Sequence, residues 1–199
     1  MCIRDSDKIY TADYYYVKFF DSDNGVIVCG YAKSNDTNES SRIYSTSNGG
    51  ESWDIVGSGP ATNIIKGVVY VSSDVGFFCY DYVEGMDSNL YKTDDGGKTF
   101  AKVMLEEQEL DSSAANPQGQ ETETKTDSGK NGADSSEQLR WGDVYKEALT
   151  PVVDSTGIIT IYLTQGKNAV YNDGKTAAKY QSSDKGSTWK YIGQVEIKD

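Results

Sequence analysis

The chain contains Thr93-Asp94-Asp95-Gly96-Gly97-Lys98-Thr99-Phe100, an eight-residue stretch with close copies at two other places. All three copies follow one frame: a hydroxyl residue, any residue, Asp or Asn, any residue, Gly, any residue, a hydroxyl residue and an aromatic residue. We call them box 1 (46–53), box 2 (93–100) and box 3 (182–189). The residues that fit the frame are Thr46, Asn48, Gly50, Ser52 and Trp53 in box 1, Thr93, Asp95, Gly97, Thr99 and Phe100 in box 2, and Ser182, Asp184, Gly186, Thr188 and Trp189 in box 3.

The frame predicts a tight turn that leads into a β-strand. An Asp or Asn side chain accepts hydrogen bonds from backbone N–H groups two or three residues later, which closes a turn locally. Glycine at the fifth position allows a positive φ, where a Cβ atom would clash. The aromatic residue then enters the next strand and packs inward, and truncating such a buried Trp to Ala typically costs about 3–5 kcal/mol. We therefore expect the boxes to be structural.

The spacing of the boxes indicates a repeat of one four-stranded sheet. Trp53 and Phe100 are 47 residues apart, and Phe100 and Trp189 are 89 residues apart. The second interval contains a polar segment of 33 residues, 106–138, which has no aromatic residue and only Leu110 as a large aliphatic residue. Without this segment the interval is 56 residues, so both intervals have the length of a propeller blade.

The three boxes resemble Asp boxes, the S/T-x-D-x-G-x-S/T-W/F signature of the BNR repeat family. This family includes sialidases, sortilin-type receptors and photosystem II assembly factors. The resemblance covers residues from about 9 to 199 except the polar segment, with departures at Asn48 and Phe100. It implies an all-β fold, a partial β-propeller of about three four-stranded antiparallel blades, with the boxes on the outer rim and remote from the central site. Three blades cannot close a ring, since propellers typically have about 4–8 blades.

These patterns divide the chain into four parts. Residues 1–6 resemble the translated end of a sequencing adapter, so we expect a metagenomic fragment. Residues 7–105 are predicted to form two blades, and residues 139–199 a third. Residues 106–138 carry nine acids and two lysines and are predicted to be disordered, because so few apolar side chains cannot offset the entropy of ordering.

Within the third predicted blade, two stretches are open to more than one interpretation. Residues 144–149 fit either a short helix or a strand, and Pro151 argues against a long helix. Residues 195–198 fit either the start of a further blade or the closure of the sheet.

Composition excludes several classes of function. The formal net charge is −12, with no basic patch, so nucleic-acid binding is not expected. No apolar run approaches the roughly 18 residues that would span a membrane. The chain has no His, and Cys29 and Cys79 are expected to be buried thiols at similar blade positions, with no disulfide indicated. We therefore predict no metal site and no cofactor.

No catalytic set of residues is predicted. A sialidase of the resembling family needs an arginine cluster, and this chain has only Arg4, Arg42 and Arg140. Tyr82 and Glu84 are the nearest match to a Tyr/Glu nucleophile pair, but such pairs are common in an acidic chain rich in Tyr. A serine triad would need a His as its base.

Two runs of polar or aromatic residues have some features of ligand sites. The run Asp21-Ser22-Asp23-Asn24-Gly25 lacks the acid at the twelfth position that completes a calcium loop, so it is predicted to be a hairpin turn. The run Tyr14-Tyr15-Tyr16 could stack on a sugar, but alternation between a core face and an outer face explains it better.

Three functions remain open at the level of sequence. The first is a non-catalytic binding or assembly module with a carbohydrate or protein ligand, which the resemblance implies to be extracytoplasmic. The second is a fragment of a sialidase-like or other glycoside hydrolase whose catalytic residues lie outside this chain. The third is a protein like the photosystem II assembly factors, for which a basic patch would argue. The lack of His and of an arginine cluster favours the first.

Overall fold

The structure is a computed structural model. It describes residues 2–5, 8–31, 41–110, 140–166 and 171–197.

The described residues form three antiparallel sheets of four or five strands that follow one another along the chain, and none closes into a barrel. A two-stranded hairpin, β1 (Cys2–Asp5) and β2 (Lys8–Thr11), precedes them. The predicted fold class is therefore confirmed: the chain is nearly all β and forms three consecutive blades of a partial β-propeller.

Blades 1 and 2 are meanders of four strands in which each strand pairs with the next. Their strands are rich in β-branched and aromatic residues and are separated by turns rich in Gly, Asp, Asn and Ser. Blade 1 consists of β3 (Tyr14–Phe19), β4 (Gly25–Gly30), β5 (Ser41–Thr46) and β6 (Asp54–Ser58). Blade 2 consists of β7 (Ile65–Tyr70), β8 (Gly76–Tyr80), β9 (Leu90–Thr93) and β10 (Ala101–Lys102).

Blade 3 has the same plan with a broken first strand. Two short strands on either side of Pro151 both pair with the same neighbour, because proline has no N–H to donate and interrupts the ladder. The elements are α1 (Trp141–Val144), β11 (Glu147–Ala148), β12 (Val152–Val153), β13 (Ile159–Thr164), a 3₁₀ turn (Tyr171–Gly174), β14 (Thr176–Ser182) and β15 (Lys190–Glu196).

The structure settles both ambiguous stretches of blade 3. Residues 144–149 contain the end of a helix and a strand, since α1 ends at Val144 and β11 begins at Glu147. Val195 and Glu196 continue β15 and open no further blade among the described residues.

The strand register makes the three blades equivalent residue by residue. Gly25 pairs with Thr46 in blade 1, Gly76 with Thr93 in blade 2, and Ile159 with Ser182 in blade 3. The first residue of each box thus ends the third strand at the same place. Phe19 pairs with Gly25, Tyr70 with Gly76 and Val153 with Ile159, which makes Phe19, Tyr70 and Val153 equivalent.

Two of these equivalent positions need glycine for space. A Cβ atom on Gly25 would lie 2.9 Å from the ring of Phe19, and one on Gly76 would lie 2.8 Å from the ring of Tyr70. Each aromatic ring lies over the glycine with which it is paired across the strands.

The blades stack face to face, and we name the two faces of each blade by this stacking. The trailing face of blade 1 packs on the leading face of blade 2, and the trailing face of blade 2 packs on the leading face of blade 3. We call these contacts seam 1/2 and seam 2/3. Buried residues at seam 1/2 are Val26, Val28, Ile43, Val68, Tyr70, Phe78 and Tyr80, and at seam 2/3 Phe77, Cys79, Leu90, Ala148, Ile159 and Ile161.

Tyrosine hydroxyls join the inner strands at seam 1/2. The Tyr14 hydroxyl accepts a hydrogen bond from Val68 N at 3.0 Å, and the Tyr16 hydroxyl accepts one from Tyr70 N at 3.0 Å. The side chain of Tyr15 points to the other face and is 39% exposed. The alternation predicted for this run is confirmed.

Cys29 and Cys79 are buried free thiols, as predicted, but they do not occupy equivalent positions. Cys29 is four residues after Gly25, whereas Cys79 is three residues after Gly76. Because side chains alternate along a strand, this offset of one residue puts Cys29 on a leading face and Cys79 on a trailing face.

The segment predicted to be disordered begins with residues that contact the core. Leu110 packs against the cluster of Trp141, Tyr171 and Tyr180, and the Tyr180 hydroxyl donates to Glu106 O at 2.7 Å. Residues 111–138 lie outside the described residues, so for them disorder stays a prediction.

Candidate functional site

Each box is closed by its own side chains. In box 2, Thr93 Oγ1 accepts from Gly97 N at 2.8 Å and donates to Asp95 Oδ1 at 2.8 Å. Asp95 Oδ1 also accepts from Lys98 N at 3.0 Å and Thr99 N at 2.8 Å, while Asp95 Oδ2 accepts from Thr99 Oγ1 at 2.6 Å. Both carboxylate oxygens are thus used within the turn.

Box 3 repeats this pattern, and box 1 reproduces it with an amide. Asp184 accepts from Thr188 N at 2.9 Å and from Thr188 Oγ1 at 2.6 Å. In box 1, Asn48 Oδ1 accepts from Ser52 N at 3.0 Å, and the last bond reverses, with Asn48 Nδ2 donating to Ser52 Oγ at 2.9 Å. The amide therefore keeps both bonds to the last hydroxyl residue, whereas the backbone N–H of Glu51, the equivalent of Lys98, donates to Asn48 O at 3.4 Å and not to the side chain.

The bonds within the boxes lower the pKa of two carboxyl groups. The hydroxyl and backbone N–H of Thr99 hold the pKa of Asp95 well below its usual range. Those of Thr188 do the same for Asp184. The hydrogen bonds lower both pKa values because they favour the charged form, so both groups are charged at neutral pH.

The aromatic residues of the boxes are less buried than predicted. Trp53, Phe100 and Trp189 each lie just before the fourth strand and remain partly exposed at the edge of a leading face. Trp53 packs edge to face on Phe19 at a centroid distance of 5.9 Å, and Phe100 packs on Phe78 at 4.9 Å. Because solvent reaches one side of these rings, the cost of truncation falls below that of a fully buried Trp.

A cleft of about 470 Å³ lies at the other end of the strands, between blades 2 and 3. Its walls come from the loop after β8, the chain that leaves β10, and the segment around α1. The boxes connect third and fourth strands, so they lie away from this end. Side chains lining the cleft include Tyr82, Glu84, Asp87, Met104, Arg140 and Trp141.

A buried amide fixes the floor of the cleft. Asn89 is 1% exposed, and its Oδ1 accepts from Ala148 N at 2.8 Å while its Nδ2 donates to Ala148 O at 2.9 Å. The Asn89 amide also donates to Tyr80 O at 2.8 Å. The side chain thus pairs with the first strand of blade 3 as a neighbouring backbone would.

Charged pairs line the rim of the cleft. Lys146 Nζ lies 2.9 Å from Glu84 Oε1 and links blade 3 to blade 2, and the Glu84 carboxylate raises the pKa of Lys146. Lys102 Nζ lies 2.7 Å from Asp87 Oδ2. Both pairs are solvent-exposed, and exposed pairs of this kind contribute little stability, about 0–1 kcal/mol.

The helical segment at the cleft buries its aromatic rings. Trp141 is 4% exposed and Tyr145 is 3% exposed, and their ring centroids are 4.6 Å apart. A Cβ atom on Gly142 would lie 2.6 Å from Glu107 Oε1, so the absence of a side chain there makes room for that carboxylate. Trp141 Nε1 is buried without a hydrogen-bond partner among the described residues.

Of the residues considered as catalytic candidates, only some meet at the cleft. Tyr82 and Glu84 both line it, with Glu84 paired to Lys146. Arg140 lies at the cleft, whereas Arg42 lies on β5 of blade 1, so the described side chains place these two arginines on different blades. The side chain of Arg4 lies outside the described residues.

The predicted hairpin turn at Asp21 is present, and its carboxylate is used locally. Asp21 Oδ1 accepts from Asp23 N at 2.8 Å and from Asn24 N at 2.7 Å. Across the described part of the chain, no group of three or more His, Cys, Asp or Glu side chains is placed to hold a metal ion.

The Cys79 thiol is not a reactive group. Burial raises its pKa to about 11, and its Sγ donates to Ala148 O at 3.2 Å. At neutral pH it therefore stays a protonated thiol inside seam 2/3.

Sequence reasoning did not single out Asn89, Lys146 or Met104. Asn89 is one polar residue among many in a loop, and its partner Ala148 is 59 residues away. The sequence feature that could have indicated this region is Trp141. A large aromatic residue just after a long polar segment marks the place where the chain becomes buried again.

Comparisons with known proteins give only distant structural similarities. No protein-family model and no curated protein matches the chain. Among solved structures, the GH74 enzyme of Niastella koreensis matches with a TM-score of 0.42 and 16% identity, over 84% of this chain and 19% of that one. YCF48, solved with a bound D1 peptide, matches with a TM-score of 0.31 and 13% identity, over 93% of this chain and 71% of that one. The chain spans about a fifth of the GH74 enzyme.

The helical segments of the described residues are all too short to cross a bilayer.

Proposed function

We propose that this chain is a non-catalytic Asp-box propeller module that binds a protein ligand at the cleft between blades 2 and 3. One observation carries the proposal: this cleft combines exposed apolar and charged side chains. The box turns, in contrast, use their carboxylate oxygens internally. Met104, which is 64% exposed, forms part of the cleft wall. Exposed apolar side chains beside polar ones are typical of binding surfaces.

The cleft favours a protein ligand over a carbohydrate. Sugars are commonly held by an open aromatic ring, and the rings of Trp141 and Tyr145 are buried in the wall. Tyr82 is the third aromatic residue of the cleft lining, and its side chain is partly exposed. A flexible apolar side chain such as Met104 suits a peptide chain.

The charge of the cleft indicates which segment of a protein would bind. Glu84 and Asp87 are paired with lysines, whereas Glu107 and Asp143 have no ion-pair partner among the described residues. The lining is therefore acidic overall. We infer a ligand segment with basic and apolar side chains.

The assignment to the Asp-box (BNR) family and an extracytoplasmic location belong to the same proposal. They are supported by the fit of all three boxes to the Asp-box frame and by their equivalent places in the three blades. A signal sequence and further boxes in the gene that encodes the chain would support both.

The two alternative functions have less support. A sialidase-like hydrolase would need arginines that converge, and Arg42 and Arg140 lie on different blades. A protein like the photosystem II assembly factors was expected to show a basic patch, and the cleft lining is acidic.

A binding screen with matched variants tests the proposal. Synthetic peptide arrays with basic-apolar, acidic and neutral sequences would be probed beside a glycan array. We expect binding to basic-apolar peptides that Glu107→Lys weakens at least about tenfold, which corresponds to about 1.4 kcal/mol. Glu51→Lys, an equal charge change in box 1, should leave binding unchanged. Equal effects of the two variants, or binding to glycans alone, would contradict the proposal.

A further inference from the structure

The chain that leaves β10 alternates between the core and the cleft. Val103 is 8% exposed and packs into the cluster at seam 2/3, and Leu105 packs against the same cluster. Met104 lies between them, is 64% exposed and lines the cleft between blades 2 and 3. Val103 N donates to Leu90 O at 2.9 Å, as in a strand, and neighbouring side chains of a strand point to opposite sides. The inward packing on either side therefore turns the Met104 thioether outward into the cleft.

The other methionine of the cleft lining is protected. Met86 is partly buried, and its sulfur accepts a hydrogen bond from Asn63 Nδ2 at 3.3 Å and from Val83 N at 3.4 Å. Asn63 is itself fixed by a bond to Asp81 O at 3.0 Å. Within the described part of the chain, no hydrogen-bond donor contacts the Met104 sulfur. The two methionines of one cleft thus differ in exposure and in the use of their sulfur lone pairs.

We propose that Met104 is a reversible oxidation site that changes the cleft wall from apolar to polar. The oxidant is a peroxide. The Met104 sulfur attacks one oxygen of hydrogen peroxide, and the S–O bond forms as the O–O bond breaks. The hydroxide that leaves takes the proton of the transferred hydroxyl group and becomes water. The sulfur gives up one electron pair, the peroxide is reduced by that pair, and the product is methionine sulfoxide.

The sulfoxide alters the wall without reaching the core. A thioether offers a flexible apolar contact, whereas a sulfoxide is polar and accepts hydrogen bonds. Because Met104 is mostly exposed, its oxidation places no polar group inside the fold, and the blades should stay packed. The effect on a ligand rests on the proposed binding of a basic-apolar protein segment at the cleft. The oxidation site itself does not depend on that proposal.

Peptide mass spectrometry of the full chain tests the site. After treatment with hydrogen peroxide, tryptic peptides 67–92 and 103–125 report Met86 and Met104 separately. We expect Met104 to be oxidised at least about tenfold faster than Met86, with a melting temperature close to that of the untreated chain. Methionine sulfoxide reductases for both epimers should restore the thioether. Equal rates at the two methionines, or a melting temperature that falls as Met104 is oxidised, would overturn the proposal.

The basic-apolar array peptide that the parent chain binds most tightly is the probe for the effect on binding. Oxidation should weaken its binding at least about tenfold, and the reductases should restore it. Met104→Gln introduces a polar side chain of similar length and should weaken binding without any oxidant. The affinity of Met104→Leu should not change with peroxide, whereas Met86→Leu should stay as sensitive as the parent chain.

The outcomes separate this proposal from the proposed function. Unchanged peptide binding after complete oxidation of Met104 would overturn the proposal and leave the binding cleft standing. Loss of affinity in peroxide-treated Met104→Leu would place the effect at another residue and would overturn it as well. A parent chain that binds no peptide would contradict the proposed function and, with it, the effect on a ligand. The oxidation rates of the two methionines would then still decide whether Met104 is the oxidation site.

Discussion

Phe77 of blade 2 and Trp189 of box 3 meet edge to face across seam 2/3, with ring centroids 5.9 Å apart. Gly186 lies beneath this contact, since a Cβ atom there would lie 2.5 Å from the Phe77 ring. Boxes 1 and 2 make the corresponding aromatic contact within their own blades. Box 3 therefore closes a turn and joins two blades.

We predict that Trp189→Ala destabilises the chain more than Trp53→Ala does. Trp189 loses contacts in two blades, whereas Trp53 loses only those of blade 1. Because both rings are partly exposed, the loss should be about 2–3 kcal/mol for Trp189 and less for Trp53. Urea denaturation of the two variants would measure both values, and an equal or reversed order would contradict the role of Trp189 at the seam.

Asn89→Leu should be among the most destabilising single substitutions. It removes both hydrogen bonds to Ala148, so that the buried Ala148 N–H loses its partner and the Ala148 C=O keeps only the weaker bond from the Cys79 thiol. We expect a loss of about 2–4 kcal/mol and faster hydrogen exchange at the Ala148 amide. Asn63→Leu is the control, because Asn63 is only partly buried and bonds within its own blade. Unchanged exchange at Ala148 would show that the bridge is not formed.

Lys185→Gly should stabilise the chain. Lys185 has φ +56°, and the equivalent residues Gly49 and Gly96 have φ +71° and +78°. A side chain at positive φ is strained, so its removal should add about 0.5–1 kcal/mol. Gly96→Lys is the reciprocal change and should destabilise. A Lys185→Gly variant less stable than the parent would mean that box 3 does not share the conformation of the other boxes.

The boxes should make stability fall in acid. The folded-state pKa values of Asp95 and Asp184 lie below the usual Asp value, so the charged forms stabilise the fold above about pH 4. This stabilisation is lost as the pH falls from there through the folded-state values. The double variant Asp95→Asn/Asp184→Asn copies Asn48 of box 1. Between about pH 5 and about pH 2.5, its unfolding free energy in urea titrations should fall less than that of the parent chain. If the unfolding free energy of the double variant depended on pH as that of the parent chain does, the hydrogen bonds to the two carboxylates would not contribute to stability.

The effect of a deletion in the polar segment on stability should depend on the residue at which the deletion begins. Removing residues 108–136 deletes Leu110, which packs on the blade 3 cluster, and should cost about 1–2 kcal/mol. Removing residues 112–136 keeps Leu110 and should leave the melting temperature nearly unchanged, because loop length affects closure entropy only slowly. Equal melting temperatures for both deletions would show that Leu110 does not contribute.

The sequence predicted the repeated features well and the features that occur once poorly. The boxes and the four-stranded plan recur, so each copy supports the others. The position of Cys79 was misjudged because an offset of one residue reverses the face of a strand. Asn89 and Ala148 could not be paired in advance, since their contact depends on how two blades stack and not on either local sequence.

The most direct test of the stacked three-blade arrangement is a nuclear Overhauser measurement between aromatic side chains. We expect cross-peaks between the Phe77 ring and the Trp189 indole across seam 2/3, and between Phe78 and Phe100 within the leading face of blade 2. The second pair is the internal reference, because it needs blade 2 alone. Both cross-peaks together would support the stack of blades. The Phe78–Phe100 cross-peak without the Phe77–Trp189 one would contradict it, because blade 2 would then fold without blade 3 packed against it.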